Sequence, residues 1–254
     1  MPKVSLRSFD LKLLALLFML IDHIGAYFPA APEWFRWLGR IAFPLFLFCL
    51  VWSYHYTHSR WRFLLRLYLM SLFMAALRWW LESRWPTEEG FGNHNIFVPM
   101  LLTCLLISTI EAWQENPKRG ALWLGGLALS QLLYFQLPVF LPPLRHISGD
   151  LLTGLVPNLA LCEFGFEFVA LGVAMYFLRE RPRQLAAVYL LFCLYQFNEE
   201  ILHFGEAVQF WMALALPFML AYNRQRGPGL KWFFYVFYPA HLILLFWLAN
   251  FVLK

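Results

Sequence analysis

Nine apolar runs, spaced so closely that little chain is left between them, limit what this sequence can become. They fall at 13–30, 37–54, 63–81, 95–113, 120–138, 160–178, 184–201, 207–222 and 232–250. A helix needs about 20 mostly apolar residues to cross a bilayer core, and most of these runs approach that length. Composition agrees: 61% of residues are hydrophobic and 14% charged, a balance that in water would leave apolar patches no soluble domain carries. The expectation is an all-α integral membrane protein of about nine transmembrane helices. Residues 1–254 then form a single transmembrane helical domain, with no length to spare for a soluble one.

The first run could pass for a signal peptide, since Lys3, Arg7 and Lys12 precede it, but Asp22 and His23 interrupt it and no clean small-residue cleavage site follows. It is read as part of the mature protein. Cys49, Cys104, Cys162 and Cys193 lie in or beside apolar runs without C-x-x-C spacing, so they read as small buried hydrophobes rather than as metal ligands or disulfides. The net charge of +5 is a matter of topology. Numbering the connections alternately, one side collects Lys3, Arg7, Lys12, Arg60, Arg62, Arg66, Lys118, Arg119, Arg179, Arg181, Arg183, Arg224, Arg226 and Lys231. The other holds only Arg36, Arg84, Arg145 and Lys254. The positive-inside rule makes the first side, and the N-terminus, cytoplasmic, and no nucleic-acid partner is needed to explain the charge. Residues 138–162, with Pro138, Pro142, Pro143, Gly149, Gly154 and Pro157, read as an outer loop carrying a short apolar piece at 151–155, loop or re-entrant. Trp34, Trp37, Trp79, Trp80, Trp85 and Trp232 sit near run ends, as an aromatic belt does.

An ionisable group inside a span costs at least ~2.5 kcal/mol on insertion scales, so each is a functional candidate or half of an internal pair. Asp22 and His23 lie beyond the midpoint of the first run, Arg40 one turn into the second, and Arg78, Asn93, His94 and Asn95 border the third and fourth. Glu163 and Glu167, at i and i+4, open the sixth as one helix face. Glu199, Glu200 and His203 close the seventh, and His241 lies within the ninth. Histidine alone has an ordinary pKa near 6.5, so His23 is the candidate general base. Adjacent helical residues point about 100° apart, so Asp22 is expected to pair elsewhere, with Arg40 as the candidate. A purely structural interhelical pair is the other reading. His241 follows Pro239, whose missing N–H frees a carbonyl, and either a cavity or a plain kink fits. Glu200-x-x-His203 has dimetal spacing but lacks a second such motif, so no metal is expected. Arg60, Arg62 and Arg66, following His55 and His58, suit either a phosphorylated donor or anionic lipid.

Three segments together resemble the TraX family, membrane proteins of conjugal-transfer systems linked to N-terminal acetylation of pilin. They are KLLALLFMLIDHIG from Lys12 to Gly25, GRIAFPLFLF from Gly39 to Phe48, and FYPAHL from Phe237 to Leu242. GNHNIF, Gly92 to Phe97, is similar to the family's Gly-Asn-Ile-Leu-Phe element with His94-Asn95 inserted, while 145–187 matches loosely. The resemblance implies an acetyltransferase using cytosolic acetyl-CoA as co-substrate, related in outline to multi-spanning acyltransferases of the bacterial inner membrane. In that class an intramembrane histidine is the base, and the matching position is His23. On this reading Asp22 orients, Arg40, Asn95 or His241 stabilises the oxyanion, Asn95, Glu163 and Glu167 meet the acceptor, and Arg60, Arg62 and Arg66 meet the phosphates of CoA. The partners are membrane lipids and an acceptor protein, glycan or lipid. The alternative is a proton-coupled transporter with Asp22, His23, Glu163, Glu167 and His241 as relay groups.

Overall fold

Local punctuation in the sequence accounts for where the helices begin and end. Asn116 caps one helix by accepting from the backbone N–H groups of Lys118 and Arg119 at 3.0 and 3.4 Å, with Pro117 in the first turn. Pro182 opens another, and Gly205, at φ +75°, closes it in the left-handed conformation that favours glycine. The computed structural model describes residues 5–87, 90–147 and 149–253; Lys3 and Lys254, counted among the topogenic cations, lie outside these.

The helices are α1 (Ser8–Tyr27), α2 (Trp34–Gly39), α3 (Ala42–His55), α4 (Arg60–Arg84), α5 (Phe97–Glu115), α6 (Pro117–Phe140), α7 (Gly149–Leu155), α8 (Gly165–Leu178), α9 (Pro182–Phe204), α10 (Ala215–Leu220) and α11 (Lys231–Trp247). Short 3-10 helices at Pro142–His146 and Gln209–Leu214 precede α7 and α10, and α11 runs into a π-helical turn, Leu248–Val252.

Two compact units divide the chain, with boundaries inside α3 and α8. In the first, residues 1–52 and 177–254, α1 packs on α2 and α11, while the Gln209–Leu214 turn rests on α9 and α2. Small residues allow the α1–α2 approach: a Cβ on Gly25 would lie 2.9 Å from the Phe35 Cβ. In the second unit, residues 53–176, α4, α5 and α6 pack in succession and α7 lies on α4. Val98, Leu102, Leu127, Cys162 and Val169 form a buried cluster there.

Among the described residues, six helical stretches are long and apolar enough to cross a membrane: Trp34–His55, Arg60–Arg84, Phe97–Glu115, Pro117–Phe140, Pro182–Phe204 and Trp232–Val252. Leu122, Leu132 and Phe140 on α6, and Leu191, Leu202 and Phe204 on α9, stay exposed, which suits contact with lipid rather than water. The chain is thus a multi-pass, all-helical membrane protein. The other three of the nine expected spans fall short for identifiable reasons. Asp10, Lys12 and Asp22 all fall within α1; α8 begins only at Gly165; and the eighth run breaks into a 3-10 turn and the six-residue α10. Pro138 does not end α6, which continues to Phe140, and the short apolar piece expected at 151–155 is α7. All four cysteines are buried free thiols.

Candidate functional site

In the first unit the polar residues of α1 sort into two groups, because neighbours on a helix diverge. Asp22 turns toward α2. Its Oδ1 lies 2.9 Å from Arg36 Nη1 and 2.7 Å from Arg40 Nη2, and its backbone carbonyl accepts from Arg36 at 3.0 Å. Asp22 and Arg40 side chains are only 16% and 17% exposed, so this carboxylate is neutralised by two guanidinium groups out of bulk solvent. Gly39 makes the approach possible, since a Cβ there would sit 2.1 Å from Asp22 Oδ1. Arg40 Nη1 donates to Gln209 Oε1 at 3.4 Å, and the Gln209 backbone N–H donates to Glu200 Oε2 at 2.6 Å. A continuous polar strut therefore runs from α1 through the Arg40 turn and the Gln209 turn to α9.

His23, one residue on, faces α11. Its Nδ1 lies 2.7 Å from Nε2 of His241, and both rings are buried, at 8% and 5% exposure. On its far edge His241 Nδ1 reaches the Phe237 carbonyl at 2.9 Å. The Phe237 ring lies nearly parallel to His241, with centroids 5.1 Å apart. The carbonyl used is one turn before His241, not that of Tyr235, which Pro239 deprives of its usual donor. The residues picked from α1, the Arg40 turn and α11 thus meet in one unit, with Asp22–Arg40 as a pair and His23 joined to His241.

The remaining candidates lie elsewhere. In the second unit Arg60 forks onto Glu111, and its Nη2 donates to Tyr176 Oη at 3.0 Å. Tyr176 donates in turn to Glu111 at 2.7 Å. Arg62 is exposed and the Arg66 guanidinium lies 5.7 Å from the Phe63 ring centre. Asn95 is buried in a small cleft lined also by Arg78, Phe91 and His94; its Nδ2 donates to the Ser71 carbonyl at 3.0 Å and its Oδ1 has no hydrogen-bond partner. Glu163 and Glu167 do not share a helix face as expected. The chain passes through positive φ at Phe164 and Gly165, so α8 starts after Glu163. In the first unit His203 bonds the Glu199 carbonyl while Glu200 holds Gln209, and among the described residues no cluster of three His, Cys, Asp or Glu side chains could hold a metal.

Sequence reasoning passed over Arg36, Gln209, Glu111 and Tyr176. Glu111 carried the same signal as Asp22, an acid inside an apolar run. Gln209 carried none, for a neutral amide near a helix start has no distinctive pattern.

No curated protein and no solved structure matches this chain. The profile of the family described as TraX protein matches residues 8–141 and 146–249, from the first residue of α1 nearly to the C-terminus, with a break inside the turn between α6 and α7. The IDH, GRIAFPLF and FYPAHL segments that place His23, Arg40 and His241 all fall within the match, and the chain belongs to the TraX family.

Proposed function

We propose that the protein is a membrane-embedded acetyltransferase that moves an acetyl group from cytosolic acetyl-CoA to an amine or hydroxyl acceptor at the outer side of a bacterial inner membrane, its N-terminus being cytoplasmic. The observation that carries this reading is the buried His23–His241 pair, set beside a carboxylate already neutralised by arginines. An imidazole hydrogen-bonded to a second imidazole is suited to take a proton and return it. The relay reading of a transporter needs a chain of buried acids, whereas Asp22 is paired with Arg36 and Arg40 and Glu167 is exposed.

In the reaction the acceptor N–H or O–H loses its proton to His23 as its lone pair attacks the thioester carbonyl. A C–N or C–O bond forms, and the oxyanion develops opposite a fixed cation, for which Arg40 is the assignment in this unit. Both His241 nitrogens are engaged, so it is not assigned to the oxyanion. Collapse breaks the C–S bond, and the CoA thiolate leaves with the proton. Arg62 and Arg66 meet the CoA phosphates, and Arg60, already forked onto Glu111 and Tyr176, anchors the start of α4 that presents them. Asn95, with its buried acceptor oxygen, and Glu163 and Glu167 are proposed for the acceptor substrate, a protein, glycan or lipid.

The test is transfer of label from acetyl-CoA to a membrane extract by the purified protein. His23→Ala should fold and bind acetyl-CoA but transfer at least about 100-fold more slowly, the lower bound for losing a general base. His23→Asn should not rescue it. Parental transfer by a stable His23→Ala protein would remove His23 from the mechanism.

A further inference from the structure

The geometry points to His241 as a positioning residue that fixes which nitrogen of His23 is basic, an inference that rests on the reading of His23 as the base. The contact is an in-plane one. With Nδ1 and Nε2 2.7 Å apart, the 5.0 Å between ring centroids is the greatest separation two imidazoles allow, reached only when both nitrogens and both ring centres fall on one line. The planes differ by 16°. The rings are therefore joined tip to tip, with the N–H of one aimed along the lone pair of the other, and are not stacked face to face.

The far end of the chain sets its direction. A carbonyl oxygen can only accept, so the 2.9 Å contact from His241 Nδ1 to the Phe237 carbonyl places a hydrogen on Nδ1. In the neutral ring the Nε2 of His241 then holds a lone pair and must accept. His23 supplies the hydrogen from Nδ1, and its own lone pair lies on Nε2. Imidazole left to itself favours the opposite tautomer, with hydrogen on Nε2. One backbone carbonyl, acting through His241, thus selects the less common form of His23.

This arrangement does for His23 what a carboxylate does in a Ser-His-Asp triad, orienting the ring and supporting the imidazolium formed when Nε2 takes the acceptor's proton. The charge spreads through Nδ1–H to His241 and on to the Phe237 carbonyl. A neutral orienter avoids dehydrating an extra ion pair inside the membrane. The adjacent acid is not available for the task, because Asp22 is held by Arg36 and Arg40.

The test replaces His241 by Phe, which keeps a flat ring but cannot accept, and by Gln, whose terminal oxygen can reach the Nε2 position. Nitrogen-15 NMR of histidine-labelled protein should show His23 protonated at Nδ1 in the parent and in His241→Gln, and at Nε2 in His241→Phe. Transfer from labelled acetyl-CoA should fall at least about 100-fold in His241→Phe and return to within about tenfold of the parent in His241→Gln, with unchanged KM for acetyl-CoA. A parent His23 protonated at Nε2, or the same tautomer in parent and His241→Phe, overturns the inference. Should His241→Phe not fold, the tautomer of the parent decides alone. A parent with the expected tautomer and no acetyl transfer would instead sink the acetyltransferase reading, so the two failures are told apart.

Discussion

The two units each hold a charged cluster, and the clusters are built to different ends. In residues 53–176, Glu111, Arg60 and Tyr176 satisfy one another in a closed ring, and Tyr54 and Ser108 pair beside it. None of these groups has an ordinary pKa near neutrality, so the cluster fastens α4, α5 and α8 and offers no proton to chemistry. In the other unit the arginines take up the carboxylate of Asp22, and two imidazoles are joined by a hydrogen bond that continues to a backbone carbonyl. The difference teaches that buried charge alone does not mark a site. What marks it is an imidazole, the side chain whose ordinary pKa lies near neutrality.

The sharpest way to break that comparison is to cut both clusters and read rate and stability together. Glu111→Gln should lower unfolding free energy by about 1–3 kcal/mol, less than the value for a fully buried pair because the Arg60 side chain is 40% exposed. Its turnover of bound acetyl-CoA should stay within a few fold of the parent, the opposite signature to His23→Ala. Thermal unfolding in detergent and single-turnover transfer measure the two. A Glu111→Gln protein that is fully stable but inactive would move the chemistry to the second unit.

A smaller effect should follow from Gly39→Ala. The new methyl would meet Asp22 Oδ1 at 2.1 Å, so the carboxylate must leave its arginines, at about 1–3 kcal/mol for overpacking. Transfer should fall as well, because Asp22 and His23 share one turn of α1. Gly126→Ala, with nothing within 4 Å, is the control expected to change neither. Equal melting temperatures for Gly39→Ala and Gly126→Ala would mean that the Asp22 clamp is dispensable.

The smallest effect belongs to the ion pair at the start of α1. Arg7 donates to Asp10 from its backbone at 2.9 Å and from Nε at 3.0 Å, an exposed arrangement that solvent screens. Asp10→Ala should leave the melting temperature and transfer essentially unchanged. A large loss of activity would mean that the N-terminal end of α1 takes part in donor binding.

Much of the helical layout was legible because membrane spans announce themselves locally: apolar length, Pro at helix starts and Gly at helix ends need no partner to be read. Span count was less so, since α1 holds Asp10, Lys12 and Asp22 along its length and α10 depends on a break at Gln209–Leu214 that no residue there demands. Asp22, His23, Arg40 and His241 stood out as polar residues in apolar runs, and the IDH, GRIAFPLF and FYPAHL segments tied them to a family. The sequence by itself determined which groups lack water and so must find partners. Only the tertiary structure decided the pairing: that Asp22 goes to two arginines, that His23 goes to a histidine 218 positions away, and that Glu111 closes on Arg60. The reason is physical. A buried polar group's requirement is written in its own neighbourhood, whereas the lowest-energy way to meet it depends on which helix faces pack together, and that is set by the whole chain at once.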